Sequence, residues 1–364
     1  MRILYVTSKG GIHDYRFLKK LVEDYEVLLL HYAADELIDE IKSITALKII
    51  SKKPLRRSFP VLSEYFHFKK IYNEFKPDII HTGYVWQVGI LASVHNLHPH
   101  LSMPWGSDIL TEPDRRSLIK KIVSRVMNQC DHVQCDAEFV KQKIINDYKK
   151  PPEDITVFPW GIDLNIFSKK DQAECRKRKN LDTGKFIIMF NRHLDPVYGV
   201  KYMLEGFKEF CKDKNDVELI MISDGSMKEE TLRYISDNNL DSKVNFMGRI
   251  PNAELPDYLN ASDIYISTSL SDGSSLSLLE AMACGLGLIV SDVPAIKEWV
   301  SEKNGLTVPV KNSDEVCSSL NKYYSDRALI RKHGDINVIE ARERADWDKN
   351  YLKLKEIYNR IAEK

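Results

Sequence analysis

Short apolar runs alternate with segments of helical period from one end of the chain to the other. In the first half the runs are Ile3–Thr7, Glu26–Tyr32, Leu47–Ser51, Asp78–Thr82, Leu101–Pro104, His132–Cys135 and Thr156–Pro159. Amphipathic stretches at Tyr15–Glu23, Glu64–Phe75, Ser117–Met127 and Phe139–Asp147 lie between them. Near-continuous apolar strands joined by helices predict parallel sheets covered on both faces. The pattern lapses over Pro159–Lys185, which is polar and charged. It restarts with runs at Phe186–Phe190, Val217–Ser223, Val244–Met247, Asp263–Thr268, Gly287–Ser291 and Leu306–Val310. Helical segments fall at Val200–Cys211, Met227–Asn238, Ala253–Ala261 and Ser275–Cys284, and the chain from Asp314 onward is helical in period and strongly charged.

The expected architecture is α/β, with two doubly wound, Rossmann-like parallel-sheet domains facing across a cleft. The lapse marks the domain boundary. Open α/β sheets bind ligands beyond the carboxyl ends of their strands, so the loops after each strand are the places to look for chemistry.

The 364 residues carry 53 Lys+Arg and 53 Asp+Glu, a formal net charge of +0. That balance argues against a general nucleic-acid binder. Local basic clusters remain at Lys52-Lys53-Pro54-Leu55-Arg56-Arg57 and at Arg115-Arg116, Lys120-Lys121 and Arg125. They are either solvated faces or contacts for anionic lipid headgroups or a lipid-linked diphosphate. The six cysteines form no C-x-x-C pair and are expected to be reduced and mostly buried. The opening MRILYVTS is too short for a signal or membrane segment, and no later apolar run approaches the ~20 residues of a span. A cytoplasmic protein is expected.

The richest segment is Ser267–Glu298, STSLSDGSSLSLLEAMACGLGLIVSDVPAIKE. A strand ends in the polar loop Ser269–Ser275 and a helix follows. Gly273 permits a tight turn, Ser274 and Ser275 stand where a helix cap is wanted, and the first helical amides are donors suited to phosphate. Glu280 falls on an apolar-flanked face beside Leu276 and Ala283, where a carboxylate is costly unless it meets donors. A ribose diol would serve; so would a local ion pair in a plainly structural helix.

The run Asp272-Gly273-Ser274-Ser275-Leu276 continuing to Glu280 resembles the acid-x7-Glu signature of retaining GT-B glycosyltransferases, specifically glycosyltransferase family 4, with Asp272 at a position where the family usually has Glu. The resemblance implies that Glu280 binds the nucleotide ribose and Asp272 lies near the donor sugar. It also implies that amides of Ser274, Ser275 and Leu276 meet sugar or diphosphate. Val157–Phe167 (VFPWGIDLNIF) is similar to the family's linker. Phe186–Phe190 runs into Asn191-Arg192, resembling the strand-end Arg that meets the diphosphate, a bidentate partner chemically suited to it. The family often has Lys-Gly shortly after; here Tyr198-Gly199 stands, with Lys201 beyond as the candidate replacement charge. Ser223-Asp224-Gly225-Ser226 resembles a Gly-Asp-Gly turn, and Arg249-Ile250 the loop whose backbone reads the base. Gly10-Gly11 matches a glycine turn near the donor diphosphate. At Met103–Leu110 (MPWGSDIL) the family's usual His is absent, and Asp108 is the candidate to hold a sugar hydroxyl; Trp105 either stacks on a sugar or fills the core.

Two metal candidates carry little weight. His95, His98 and His100 are interrupted by Pro99, and Asp346-Trp347-Asp348 reads as a helix start. The resemblance implies a GT-B fold with an acceptor-binding domain over 1–165 and a nucleotide-sugar-binding domain over 166–346. The last helix, 347–364, packs back on the first domain. It implies hexose transfer from a nucleotide-diphosphate donor, most naturally a UDP- or GDP-sugar, to a saccharide, lipid-linked or small-molecule acceptor. Retention of configuration and closure of the domains on substrate are implied too. No metal or other cofactor is expected, nor a nucleic-acid partner. Cell-surface polysaccharide or glycoconjugate synthesis, with peripheral contact at the inner face of the cell membrane, is the expected setting. The alternatives are another GT-B enzyme, a nucleotide-sugar 2-epimerase or inverting transferase, and a non-catalytic nucleotide-sugar-binding protein.

Overall fold

The computed structural model describes residues 1–33, 36–53 and 62–363. The chain divides into two compact units, Met1–Phe158 with Tyr351–Lys364, and Pro159–Asn350.

The first unit contains β1 (Arg2–Thr7), β2 (Glu26–His31), β3 (Lys48–Ser51), β4 (Ile79–Gly83), β5 (His100–Met103), β6 (His132–Cys135) and β7 (Ile155–Val157). They form one sheet in the order β3-β2-β1-β4-β5-β6-β7, parallel at every pairing. The chain winds outward from β1 to β3, then crosses to β4 and winds the other way. The switch point therefore lies between β1 and β4. Leu4, Val6, Leu28, Leu30 and Ile80 project into one core with Phe68, Val88 and Leu91 from covering helices. The C-terminal helix Trp347–Ala362 contributes Tyr351, Leu354, Tyr358 and Ile361 at helical spacing, all buried. Tyr358 meets His81 Nδ1 at 2.6 Å, and the Tyr351 hydroxyl donates to Asp24 at 2.8 Å.

The second unit contains β8 (Phe186–Phe190), β9 (Val217–Met221), β10 (Val244–Phe246), β11 (Ile264–Ser267), β12 (Gly287–Ser291) and β13 (Leu306–Val308). Its order is β10-β9-β8-β11-β12-β13, again parallel, with the switch between β8 and β11. The helix Val200–Phe210 buries Val200, Met203, Leu204, Phe207 and Phe210 on one face against this sheet.

Strand ends differ from the sequence reading by one or two residues, where ladder bonds stop before the apolar run does. Two larger differences have physical causes. Between β4 and β5 a π-helical turn, Val85–Gly89, and a helix, Ile90–Val94, are buried nearly all round, so they show no amphipathic period. The helix Gln172–Arg178 lies in the stretch that reads as a lapse. Its buried face carries Cys175 and Arg176, and a buried arginine looks like surface in a hydropathy pattern.

Arg176 fastens the leading edge of the second sheet. Its Nε donates to the Ala261 carbonyl at 2.8 Å, Nη1 to Thr183 and Lys185 carbonyls at 2.9 Å, and Nη2 to Asp263 at 2.9 Å. Asp263 also accepts the Ile187 N–H at 2.7 Å, so one buried ion pair joins the starts of β8 and β11. Among the described residues no helix is long and apolar enough to cross a membrane. All six cysteines are free, and five are buried.

Arg176→Ala is expected to cost about 3–5 kcal/mol, because Asp263 and several carbonyls lose their donor together. Urea unfolding followed by intrinsic fluorescence checks this; a loss under about 1 kcal/mol would show the network to be incidental.

Candidate functional site

The second sheet switches direction between β8 and β11, and the sequence candidates gather beyond the carboxyl ends of those two strands. Arg192 follows β8. Its Nη2 donates to Asp272 Oδ2 at 2.6 Å, and its Nη1 donates to the Ser275 hydroxyl and to the Ser277 hydroxyl at 2.9 Å. The guanidinium carbon stands 4.4 Å from the centre of the Tyr198 ring, a cation–π contact. Ser277 in turn meets the Tyr265 hydroxyl at 2.9 Å. Arg192 is 8% exposed, and its Nε–H has no acceptor among the described residues. A buried, charged donor with a hydrogen to spare is a standing demand for an anion.

Burial pushes the Arg192 guanidinium toward its neutral form, but Asp272 and the surrounding tyrosines more than reverse this. Burial raises the Asp272 carboxyl, while Arg192, Ser269 and the Gly273 amide pull it back.

Helix Leu276–Ala283 starts at the N-cap Ser275, whose hydroxyl accepts the Leu278 N–H. Ser274 accepts from the Trp299 indole at 3.1 Å. Every residue of the helix is buried, Glu280 among them at 5% exposure. Gly199 sits at φ +62°, and a Cβ there would come within 2.2 Å of the Thr268 carbonyl. Thr268 Oγ1 donates back to the Gly199 carbonyl at 2.9 Å. That contact brings the Tyr198-Gly199 turn against the end of β11, which is why glycine is needed there.

The remaining candidates of this unit make other contacts. Lys201 is exposed and reaches Glu205 at 3.8 Å. The exposed Arg249 leans on Asp224 at 2.9 Å, and Ile250 beside it is half-buried. Gly248, at φ +68°, accepts the Ser223 N–H, so the turn after β10 is stitched to the end of β9.

In the first unit, Gly10 sits at φ +71° after β1. The N–H groups of Gly10 and Gly11 donate to Asp14 Oδ2 at 2.8 and 3.2 Å, and the Tyr5 hydroxyl donates to its other oxygen at 3.1 Å. Asp108 is buried and accepts the Val85 and Trp105 amides at 2.8 and 2.9 Å. Burial, against these donors, lifts both the Asp14 and Asp108 carboxyls to about 6. Trp105 is half-buried, edge-on to His13 at 5.5 Å. Nearby, Tyr84 holds φ +75° and donates to Glu112, which also accepts from the Trp86 indole at 2.5 Å and Ser107 at 3.1 Å. A bulky residue at positive φ costs energy that its neighbours must offset.

Asp14, Glu112, Tyr198 and Ser277 thus belong to these clusters, and sequence reading did not nominate them. Asp14 had one signal: an acid three residues after a glycine turn reads as a helix cap. The metal candidates are otherwise engaged. His95 donates to the Tyr65 carbonyl, His98 to Asp131, and His100 meets Thr82. Asp346 accepts the Asp348 and Lys349 amides at the start of its helix. No group of three or more His, Cys, Asp or Glu residues among the described residues is placed to hold a metal. Of the basic clusters, Pro54, Leu55, Arg56 and Arg57 lie outside the described residues.

Known proteins share the family and fold of both units. Residues 171–343 match the family model "Glycosyl transferases group 1", and residues 2–137 match "Glycosyl transferase 4-like". The phosphatidylinositol N-acetylglucosaminyltransferase GPI3 subunit of Saccharomyces cerevisiae is 24% identical over 204 residues, 56% of this chain and 45% of that protein. Alpha-monoglucosyldiacylglycerol synthase of Streptococcus pneumoniae is 24% identical over 252 residues, 64% of this chain and 56% of that protein. The chain thus spans about half the length of these curated relatives. Anabaena Alr3699/HepE, solved with UDP and glucose, superposes with a TM-score of 0.83 at 16% identity over 99% of both chains. Sucrose-phosphate synthase of Thermosynechococcus elongatus gives 0.80 at 16% identity, over 99% of this chain and 98% of that one.

The raised Asp14 carboxyl has a definite stability consequence. Its folded-state proton is held up to about 6, against 3.8 when unfolded, so its contribution is full below pH 4 and lost as pH rises through 6. The stability advantage of wild type over Asp14→Asn should therefore shrink between pH 4 and 6 and level off above. Urea midpoints at four pH values check it; a gap that widens over that window would contradict the assignment.

Proposed function

We propose, from the two glycosyl transferase family matches and the GT-B fold that support the reading, that the chain moves a hexose or related sugar from a nucleotide-diphosphate donor to an acceptor with retention of configuration. The observation that carries the reading is the buried Arg192, held by Asp272, Ser275 and Ser277 and left with one unused N–H at a sheet switch point. A departing nucleoside diphosphate develops charge on its outer phosphate, and fixed cationic donors stabilise that charge without reorganising. In this reading Arg192 takes the diphosphate together with the first amides of helix Leu276–Ala283. Glu280 holds the ribose hydroxyls and Asp272 orients Arg192 and the sugar. Ile250 presents backbone to the base, and Lys201 is an auxiliary charge on a flexible stem. In the first unit, the buried Asp108 accepts the Val85 and Trp105 amides and holds that loop in place.

The reaction is metal-independent in this reading, and no side chain acts as a nucleophile. The leaving phosphate oxygen accepts the acceptor's proton on the face it departs from, so configuration is retained. UDP and UDP-glucose in the Anabaena protein support a UDP-sugar donor, with GDP-sugars as the second choice. Two relatives named for glycosylated lipids support a lipid-linked acceptor. So does the helix Ser117–Gln129, which exposes Lys120, Lys121, Arg125 and Leu118 beside the exposed Arg115 and Arg116. Such a face suits the inner surface of a membrane carrying anionic lipid. Glycoconjugate or polysaccharide synthesis in the cytoplasm is the setting.

Glu280→Gln is expected to lower transfer from a UDP- or GDP-sugar by about a hundredfold or more while the melting temperature stays close to wild type. Arg192→Ala should lower transfer as far and melting as well, since Asp272 then stays buried without its cation. Wild-type turnover in either variant would remove these assignments. Activity should survive EDTA; loss on chelation with recovery on adding Mn²⁺ would count against metal independence. An inverted anomeric proton in the product NMR spectrum would replace retention with inversion.

A further inference from the structure

The second sheet also has a chemically distinctive leading edge. A cavity of about 530 Å³ opens where β8, β11 and β12 begin, bounded by the residues just before each strand and by the start of helix Arg327–Arg344. That volume falls within the roughly 300–1,000 Å³ of small-molecule sites. Its lining brings together six cations, Lys169, Lys170, Arg176, Lys185, Arg327 and Arg331, against two carboxylates.

Both carboxylates are turned to internal duty. Asp171 caps helix Gln172–Arg178 by accepting the Glu174 N–H at 2.8 Å. Asp263 accepts from Arg176, the Ile187 amide and Gln172. Arg176 is equally committed, with its donors on three carbonyls and Asp263. The other cations are not absorbed in this way. The Arg327 guanidinium carbon stands 4.0 Å from the centre of the Phe186 ring, a cation–π contact, with Asp263 only at 3.7 Å. A guanidinium held against a ring keeps N–H groups that can still donate to an anion. Arg331, one turn on, is exposed and has no acidic partner among the described residues. Lys169 reaches Asp335 at 2.6 Å and Lys170 reaches Asp257 at 3.3 Å, pairs open enough to solvent for a ligand to rearrange, while Lys185 reaches the buried Glu218 at 3.0 Å.

A chain of formal net charge +0 has no overall reason to concentrate cations in one concavity. Planar guanidinium edges beside flexible ammonium groups match tetrahedral phosphates carrying several charges. We propose that this cavity is a second anion site, binding a small molecule that bears two or more linked phosphates. It stands at the opposite end of β8 and β11 from Arg192, and its residues take no part in the donor site. The proposal does not rest on the transferase reading, because its readout is binding rather than turnover.

Isothermal titration of the full chain with sodium tripolyphosphate, at constant ionic strength, tests it. Saturable binding is expected, weakened about tenfold by Arg331→Gln and by about as much in Arg327→Gln. Arg331 is a surface position, so that variant should keep the wild-type melting temperature even if the stacked Arg327 variant does not. ATP binding more tightly than tripolyphosphate would assign the site to nucleotides, and the reverse to inorganic polyphosphate; either supports a linked-phosphate site. The proposal is overturned by a lack of saturable binding, by affinity within about twofold of wild type in the Arg331 variant, or by citrate binding as tightly as tripolyphosphate.

Discussion

The second unit depends on one buried ion pair, Arg192 with Asp272, set where the sheet changes winding direction. Parallel strands end with their carbonyls and following loops on one side, and at a switch point the two flanking loops diverge. A guanidinium from one loop and a carboxylate from the other join across that divergence at 2.6 Å. Taking both charges out of water costs several kcal/mol each, and only good geometry with further hydrogen bonds recovers it. Ser275, Ser277 and the Tyr198 ring supply that surrounding. The arrangement holds the arginine still and leaves its Nε–H over, which is what an anion site requires of a preorganised donor.

The first unit meets the same problem with different chemistry. There the loop after β1 is held by Asp14, which gathers two glycine amides and a tyrosine hydroxyl. Burial outweighs these donors, and its carboxyl rises to about 6. Asp108 shows the same balance beside the strained Tyr84. Both carboxylates act as acceptors that stiffen loops at the carboxyl ends of strands.

The leading edge of the second sheet inverts the logic of the trailing edge. Arg176 and Asp263 satisfy one another and the backbone completely, giving a closed structural joint. Around that joint Lys169 has an exposed partner and Arg327 a distant one. Placing stability in the buried pair frees the rim for ligand.

Two doubly wound sheets were legible in the hydropathy pattern, because strands covered on both faces must be apolar throughout and the helices between them must be amphipathic. The cap at Ser275, the buried setting of Glu280 and the position of Arg192 after β8 were also legible, since each depends on residues adjacent in sequence. The elements that stayed hidden were those whose burial is polar or complete: the helix around Arg176, and the turn and helix from Val85 to Val94. Which side chains meet was beyond sequence reading altogether. Arg192 and Asp272 are 80 residues apart, and Tyr198 lies over the guanidinium only because Gly199 lets its turn approach Thr268. Local chemistry determines the element and its ends; long-range pairing is decided by strand order, which exists only once the sheet has formed.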